Sequence, residues 1–266
     1  SVFKNVGTKL FKVYLNQPLM FHYITSTSDL IANITSEIGI FVNNAVYPFV
    51  RMVTELIFIC GIFIFLLFYQ PKVTFFAFVF IFSTCAIFIY FSKHKISKWS
   101  IIRQGADFKR IKAFQQGLGA IEYIKLRSIE DFFYKKFFRE NTLVSKVAIK
   151  QSLLSSLPLY FLEIIGVFSL LLVAIIMTFN SQSIENLIII LGLFTAAAFK
   201  IIPSANRVLQ AYSFIKYSKP VIDLFYKQLT KTHNIKKINN FNKPRLKFAK
   251  SLIISNLNFS YPDLDR

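Results

Sequence analysis

The chain reads as an all-α membrane protein with four long transmembrane helices that carry cytoplasmic extensions. Two observations predict this. Apolar runs of spanning length lie at about 53–69, 73–91, 157–179 and 184–202, and nearly all the positive charge stands outside them. At 1.5 Å per residue, about 20 residues cross a hydrocarbon core of ~30 Å. Fourteen Lys or Arg lie between Lys93 and Lys150, none between Gln151 and Phe199, and twelve from Lys200 to Lys250. Carrying such a side chain through hydrocarbon costs roughly 2.5–3.5 kcal/mol on insertion scales, so both basic blocks are expected on the cytoplasmic face of the inner (plasma) membrane.

Composition narrows the class. Of 266 residues, 54% are hydrophobic and 17% aromatic, and the mean hydropathy is +0.49, values outside the range of a soluble globular domain. The net charge of +19 alternates with spanning-length runs, which suits anionic headgroups and not a nucleic-acid partner. Cys60 and Cys85 fall inside apolar runs, and His22, His94 and His233 are scattered. Neither a disulfide framework nor metal-ligand spacing is present. The 32 phenylalanines accompany an excess of Ile, Lys and Asn, a coding bias that assigns no site to any one Phe.

Along the chain, residues 1–44 read as the return half of an excursion from the membrane: a basic helix, a break at Asn16-Gln17-Pro18, the aromatic Phe21-His22-Tyr23, then a new helix with Ser28 or Asp29 as N-cap. That helix is expected to continue unbroken to Tyr69 as the first span, with Arg51 and Glu55 paired four residues apart. Gln70-Pro71-Lys72 and Asn180-Ser181-Gln182-Ser183 are tight outer turns, which make two helical hairpins whose ends lie on the same face. Lys93 to Ser156 is 64 residues without proline. It is read as two helices of roughly 30 residues, each reaching about 45 Å. Gly117 and Gly119 mark the break, because Gly costs about 1 kcal/mol in a helix interior. Residues 203–229 keep an amphipathic pattern, 231–250 turn polar and Asn-rich as a linker, and Leu257, Phe259 and Tyr261 alternate with polar residues as a strand does.

Four spans with deep cytoplasmic arms, a linker, and a strand ending Phe259-Ser260-Tyr261-Pro262 resemble the transmembrane half of an ABC exporter. The resemblance covers nearly the whole chain. Residues 1–230 correspond to a partial six-helix transmembrane domain, and 251–266 to the first β-strand of an ATPase domain. The chain, opening at Ser1 and stopping at Arg266, is accordingly read as a fragment, with two spans upstream and the ATPase domain downstream. Gln115-Gln-Gly-Leu-Gly-Ala-Ile-Glu-Tyr-Ile-Lys-Leu126 and Ala198-Phe-Lys-Ile-Ile-Pro-Ser-Ala-Asn-Arg207 are similar to the branch of lipid-linked-oligosaccharide and polysaccharide flippases. Lys200 departs from the Arg common there, keeping charge but losing the planar fork.

The resemblance implies specific roles. Tyr261 matches the aromatic that stacks on the adenine of ATP, with ATP and Mg²⁺ serving the intact protein; no G-x-x-x-x-G-K-[ST] occurs in the chain, and no catalytic residue is assigned. Pro18, Leu19, Phe21 and Tyr23, and Ile121, Tyr123 and Leu126, match two coupling helices that seat in the ATPase domains. Their alternative is ordinary hairpin packing. Lys200 and Arg207, seven apart on one helix face, suit a cavity receiving a lipid pyrophosphate, or equally two side chains meeting headgroups at the interface. Glu163, a lone carboxylate inside the third run, is expected to face protein or cavity. The implied whole is a homodimer of half-transporters in the lipid bilayer, with a lipid-linked glycan as cargo. A drug, peptide or lipid exporter shares these features, and a membrane-anchored scaffold without transport is the alternative of another class.

Overall fold

Long apolar runs with few helix breakers favour long helices, because each added residue contributes a hydrogen bond without a new nucleation cost. A computed structural model describes residues 2–179, 184–231, 251 and 255–256. Helix α1 (Val2–Leu15) ends at the Asn16-Gln17-Pro18 break, and the short α2 (Leu19–Ile24) starts immediately after Pro18. Helix α3 then runs 43 residues, Thr27–Tyr69, with π turns at Asn33–Glu37 and Val42–Val46. Its N-cap is Ser26, not Ser28 or Asp29, and the Ser26 hydroxyl caps nothing. The Ser28 hydroxyl is taken by a distant partner instead, donating to Gln115 Oε1 at 2.6 Å.

Helix α4 (Pro71–Gly119) is 49 residues long, or about 73 Å, more than twice the hydrocarbon core. Gly117 does not break it, since one glycine costs only about 1 kcal/mol; the helix stops at Gly119, and Ala120 leaves helical space. A two-turn α5 (Ile121–Arg127) comes next. It ends with Ser128 at φ 52°, while Ser128 N–H donates to Lys125 O and Ile129 N–H to Ile124 O. These two bonds form a Schellman end, with serine where glycine is usual. Helix α6 (Glu130–Phe179, 50 residues) returns to the membrane, α7 (Ile184–Tyr217) leaves it again, and α8 (Lys219–Lys231) closes the described chain. Among the described residues, four helices are long and apolar enough to cross a membrane. The linker at 231–250 and the strand at 251–266 fall, apart from the few residues named, outside the described residues.

Apolar layers hold the helices together, one of them Ile96, Val147 and Tyr217 joining α4, α6 and α7. Leu66, Val73, Phe78, Ile190, Phe194 and Ile201 pack within the spans. Leu162, Ala205 and Leu209 form the next layer, and there a Cβ on Gly166 would collide with Ile202. Along the arms, Leu10, Tyr14, Ile38, Val42, Val221 and Phe225 join α1, α3 and α8. The buried Tyr14 hydroxyl donates to Gln228 Oε1 at 2.6 Å and accepts from Asn33 Nδ2 at 3.0 Å. Burial pushes the Tyr14 phenol up to about 12.

The arms also bury charge. Arg103 on α4 forks onto Glu37 of α3, Nη1 to Oε1 at 2.7 Å and Nη2 to Oε2 at 3.2 Å. Both side chains are essentially inaccessible, at 4% and 0% exposure. Asp107 bridges onward to Arg110 at 2.5 Å, and Arg110 reaches Asn141 of α6 at 3.2 Å. The Arg103 guanidinium also lies 5.8 Å from the centre of the Tyr217 ring on α7. Burial raises the Glu37 carboxyl above its ordinary value, against the opposing pull of Arg103.

Stability should respond in two ways. Glu37→Ala or Arg103→Ala strands a buried charge and should cost about 3–5 kcal/mol, whereas Glu37→Leu with Arg103→Met should recover most of it; thermal unfolding in detergent reads both. For Tyr14, the folded-state pKa lies above the unfolded value of about 10, so its contribution is full below pH ~10 and lost as pH rises toward 12. Wild type should therefore lose stability relative to Tyr14→Phe across that interval.

Candidate functional site

Two features of the arms present chemistry to the outside, and each begins with a chain break. At the far tip of the α1–α3 arm, Pro18 sets an extended backbone (φ −62°, ψ 152°) and starts α2. Leu19 and Tyr23 stand 70% and 75% exposed on it. At the tip of the α4–α6 arm, α5 presents Ile121, Tyr123 and Leu126, the last 85% exposed, while Ile124 alone is buried. Arg127 covers the Tyr123 ring at 5.0 Å, and Lys125 pairs with Glu130 at 2.9 Å. The Ser28–Gln115 hydrogen bond links the start of α3 to the last turns of α4. It brings the two elbows to the same end of the bundle.

Phe21 departs from the expected docking role. Its ring stacks on Tyr14 at 6.3 Å and meets His22 edge-on at 5.3 Å, and it packs with the arm core. The His22 Nε2 bonds to Tyr14 O at 3.1 Å. Phe21 therefore anchors α2 to α1 and leaves contact to Leu19 and Tyr23. The second elbow borders an apolar groove of about 370 Å³ lined by Phe114, Leu118, Ile121, Phe133 and Phe137, among others.

The basic and acidic residues near the membrane boundary arrange themselves differently from the sequence expectation. Glu55 does not pair with Arg51 on its own helix; Arg207 of α7 donates Nη1 to Glu55 Oε1 at 2.8 Å. The interhelical partner wins because α7 packs along α3 at this level, taking Glu55 to 11% side-chain exposure. Lys200 lies on the same side of α7, its ammonium 5.1 Å from the Phe58 ring centre. Lys200 and Arg207 thus both turn toward α3. Glu163 is exposed on α6 and has no ion pair or hydrogen bond among the described residues. Tyr261 lies outside them.

A second cleft opens beside the Glu55–Arg207 pair. It measures about 200 Å³ and is lined by Asn43, Asn44, Tyr47, Pro48, Arg51, Arg207, Gln210, Ala211 and Phe214. Sequence reasoning misses it, because the i,i+4 rule assigns Arg51 to Glu55. The available signal is Pro48, which has no N–H and leaves the Asn44 carbonyl without its helical donor. The Ser218 hydroxyl stands 3.3 Å from that carbonyl and shares its one proton between it and the Phe214 and Ile215 carbonyls at 3.1 and 3.0 Å.

These observations define a multi-pass helical membrane protein whose long arms carry two short elbows with exposed apolar tips. Residues 2–199 match the family described as ABC transporter transmembrane region. The chain belongs to that family, as a transport subunit of the exporter type, and its four long apolar helices form part of such a transmembrane domain.

The Glu55–Arg207 pair makes an asymmetric prediction. Arg207→Ala should destabilise by about 3 kcal/mol by leaving Glu55 unpaired, and Glu55→Gln with Arg207→Gln should restore much of the loss. Arg51→Ala, which breaks no ion pair, should stay within about 0.5 kcal/mol of wild type. Thermal melts of the four proteins in one detergent decide it.

Proposed function

We propose that the chain is the membrane half of an ATP-driven exporter that moves a lipid-linked oligosaccharide or polysaccharide precursor across the inner membrane by alternating access. The observation that carries this reading is the pair of neighbouring elbows, each exposing apolar and aromatic tips at the end of a rigid arm. Such tips suit seating in grooves of ATPase domains, as anchors that lose water on contact. In this reading the arms and both ends of the chain are cytoplasmic, and two copies assemble a homodimer.

The described residues offer ATP no phosphate cradle. ATP and Mg²⁺ belong to the attached ATPase domain, with Tyr261 stacking on adenine. Closure of that domain would pull on α2 and α5, and the arms would carry the displacement to the spans as a two-state change. For cargo, the cations facing α3, Arg207 and Lys200, support an anionic group on the transported lipid. Glu55 neutralises part of that charge, which favours a weakly held, releasable ligand. Glu163, exposed on a spanning helix, is assigned to the contact with the second half or its cavity, where a carboxylate escapes the cost of facing lipid.

The test is ATPase activity of the complete transporter in vesicles, with and without lipid-linked oligosaccharide. Glycan lipid should stimulate turnover several-fold, and Lys200→Ala with Arg207→Ala should abolish the stimulation. Leu126→Asp or Tyr23→Asp should lower transport more than tenfold while leaving the thermal melt unchanged. Basal activity without any glycan response would remove this cargo and keep the exporter.

A further inference from the structure

We propose that the cleft between α3 and α7 is a binding site for a phosphate-bearing lipid headgroup at the basic face of the membrane, with Arg51 as its free cation and Arg207 as its positioned one. The lining residues include two guanidinium groups, three side-chain amides and a tyrosine, and no acid. Arg51 pairs with no carboxylate among the described residues and is exposed. Arg207 gives one N–H to Glu55; a guanidinium carries five donors, so Glu55 fixes its position without exhausting it. Two guanidinium groups opposite one another match phosphate oxygens better than ammonium groups do, because each presents a planar fork.

The depth selects a lipid. Arg51 stands two residues before the apolar run that begins at 53, about 3 Å along the helix, and Arg207 five residues after the run that ends at 202, about 7.5 Å. Both therefore sit at headgroup level, where juxtamembrane Arg attracts anionic lipid.

Local backbone builds the opening. A π turn spans Val42–Val46, which places Asn43 and Asn44 in the widened stretch, and Pro48 stands one turn later. π turns inside helices concentrate at functional sites. Asn43, Asn44, Tyr47, Pro48 and Arg51 of α3 form one wall, and Arg207, Gln210, Ala211 and Phe214 of α7 the other. The headgroup site does not depend on a glycan cargo: it is defined by phosphate alone, and both the transported lipid and bulk anionic phospholipid present that chemistry.

Native mass spectrometry of the complete transporter in detergent tests it without ATP or glycan. Short-chain phosphatidylglycerol is titrated beside phosphatidylcholine of the same chain length and beside inorganic phosphate. The expected result is preferential binding of phosphatidylglycerol, weakened about tenfold by Arg51→Gln and to an intermediate degree by Arg51→Lys, which keeps the charge and loses the fork. Glu55→Gln with Arg207→Gln should weaken it similarly without leaving a stranded carboxylate. Lys95→Gln, on α4 and outside the cleft, should bind as wild type. Displacement by inorganic phosphate would support the anion cleft and identify a soluble source. Equal binding by wild type and Arg51→Gln, or equal weakening by Lys95→Gln, would overturn the proposal, and either result leaves the vesicle ATPase reading untouched.

Discussion

The structure depends on a constraint carried by α3: its two buried acids must each meet a cation from another helix. Glu37 meets Arg103 of α4 in the arms, and Glu55 meets Arg207 of α7 at the membrane boundary. The acids are 18 residues apart, about 27 Å along the helix. In an uninterrupted α-helix that separation is five full turns, and both would face one neighbour. The π turn at Val42–Val46 lies between them. One extra residue in the turn rotates the remainder of α3 by about 100°, so Glu37 addresses α4 while Glu55 addresses α7. A single helix thereby sets the position of two others. Apolar layers supply the bulk of the packing, but apolar surfaces slide; paired charges in a low dielectric do not.

Much of the fold is legible in the sequence because a bilayer limits the alternatives. A run of spanning length without charge has to be a helix, and the distribution of Lys and Arg orders the loops. The four spans and the unbroken α3 are readable on those grounds, and the positions of the elbows follow from the breaks at Asn16-Gln17-Pro18 and Gly119. Side-chain pairing across helices is not. Arg51 and Glu55 satisfy the i,i+4 rule, which is worth only about 0.5 kcal/mol on a helix surface; a partner from α7 outweighs it once Glu55 is largely covered. Sequence separation of 152 residues hides that partner. The Arg103 network escapes for the same reason: its residues sit in a stretch rich in charge, where periodicity does not distinguish a buried Arg from a solvated one. Phe21 reads as outward-facing because aromatic residues at a tip suit docking. Its stacking on Tyr14 instead shows that a six-residue helix has to commit one of its own side chains to attachment.

That division of labour explains how such short elbows hold their shape. Isolated helices of six or seven residues are not stable in water. Helix α2 is held by Phe21, His22 and the Pro18 start, and α5 by buried Ile124, the Lys125–Glu130 pair and the Schellman end at Ser128. Their remaining apolar residues are thus displayed at fixed positions, which is the condition for a force applied at the tip to move the arm and not merely fold the tip aside.

The same logic bears on where motion is allowed. The arms are stiff along their length, since α4 and α6 are continuous for 49 and 50 residues. Between α3 and α7, by contrast, the apolar packing that joins them within the spans gives way at the boundary to one ion pair beside an open cleft. Helices joined by few polar links beside a cavity can change separation at less cost than helices locked by interdigitated side chains, because a cavity has no packing to lose. A ligand that bridges Arg51 and Arg207 would add contacts only when the two helices stand at the right distance, and it would therefore favour that one arrangement by its differential affinity. Headgroup binding and helix spacing are in this way a single equilibrium, set at the point where the chain leaves the membrane.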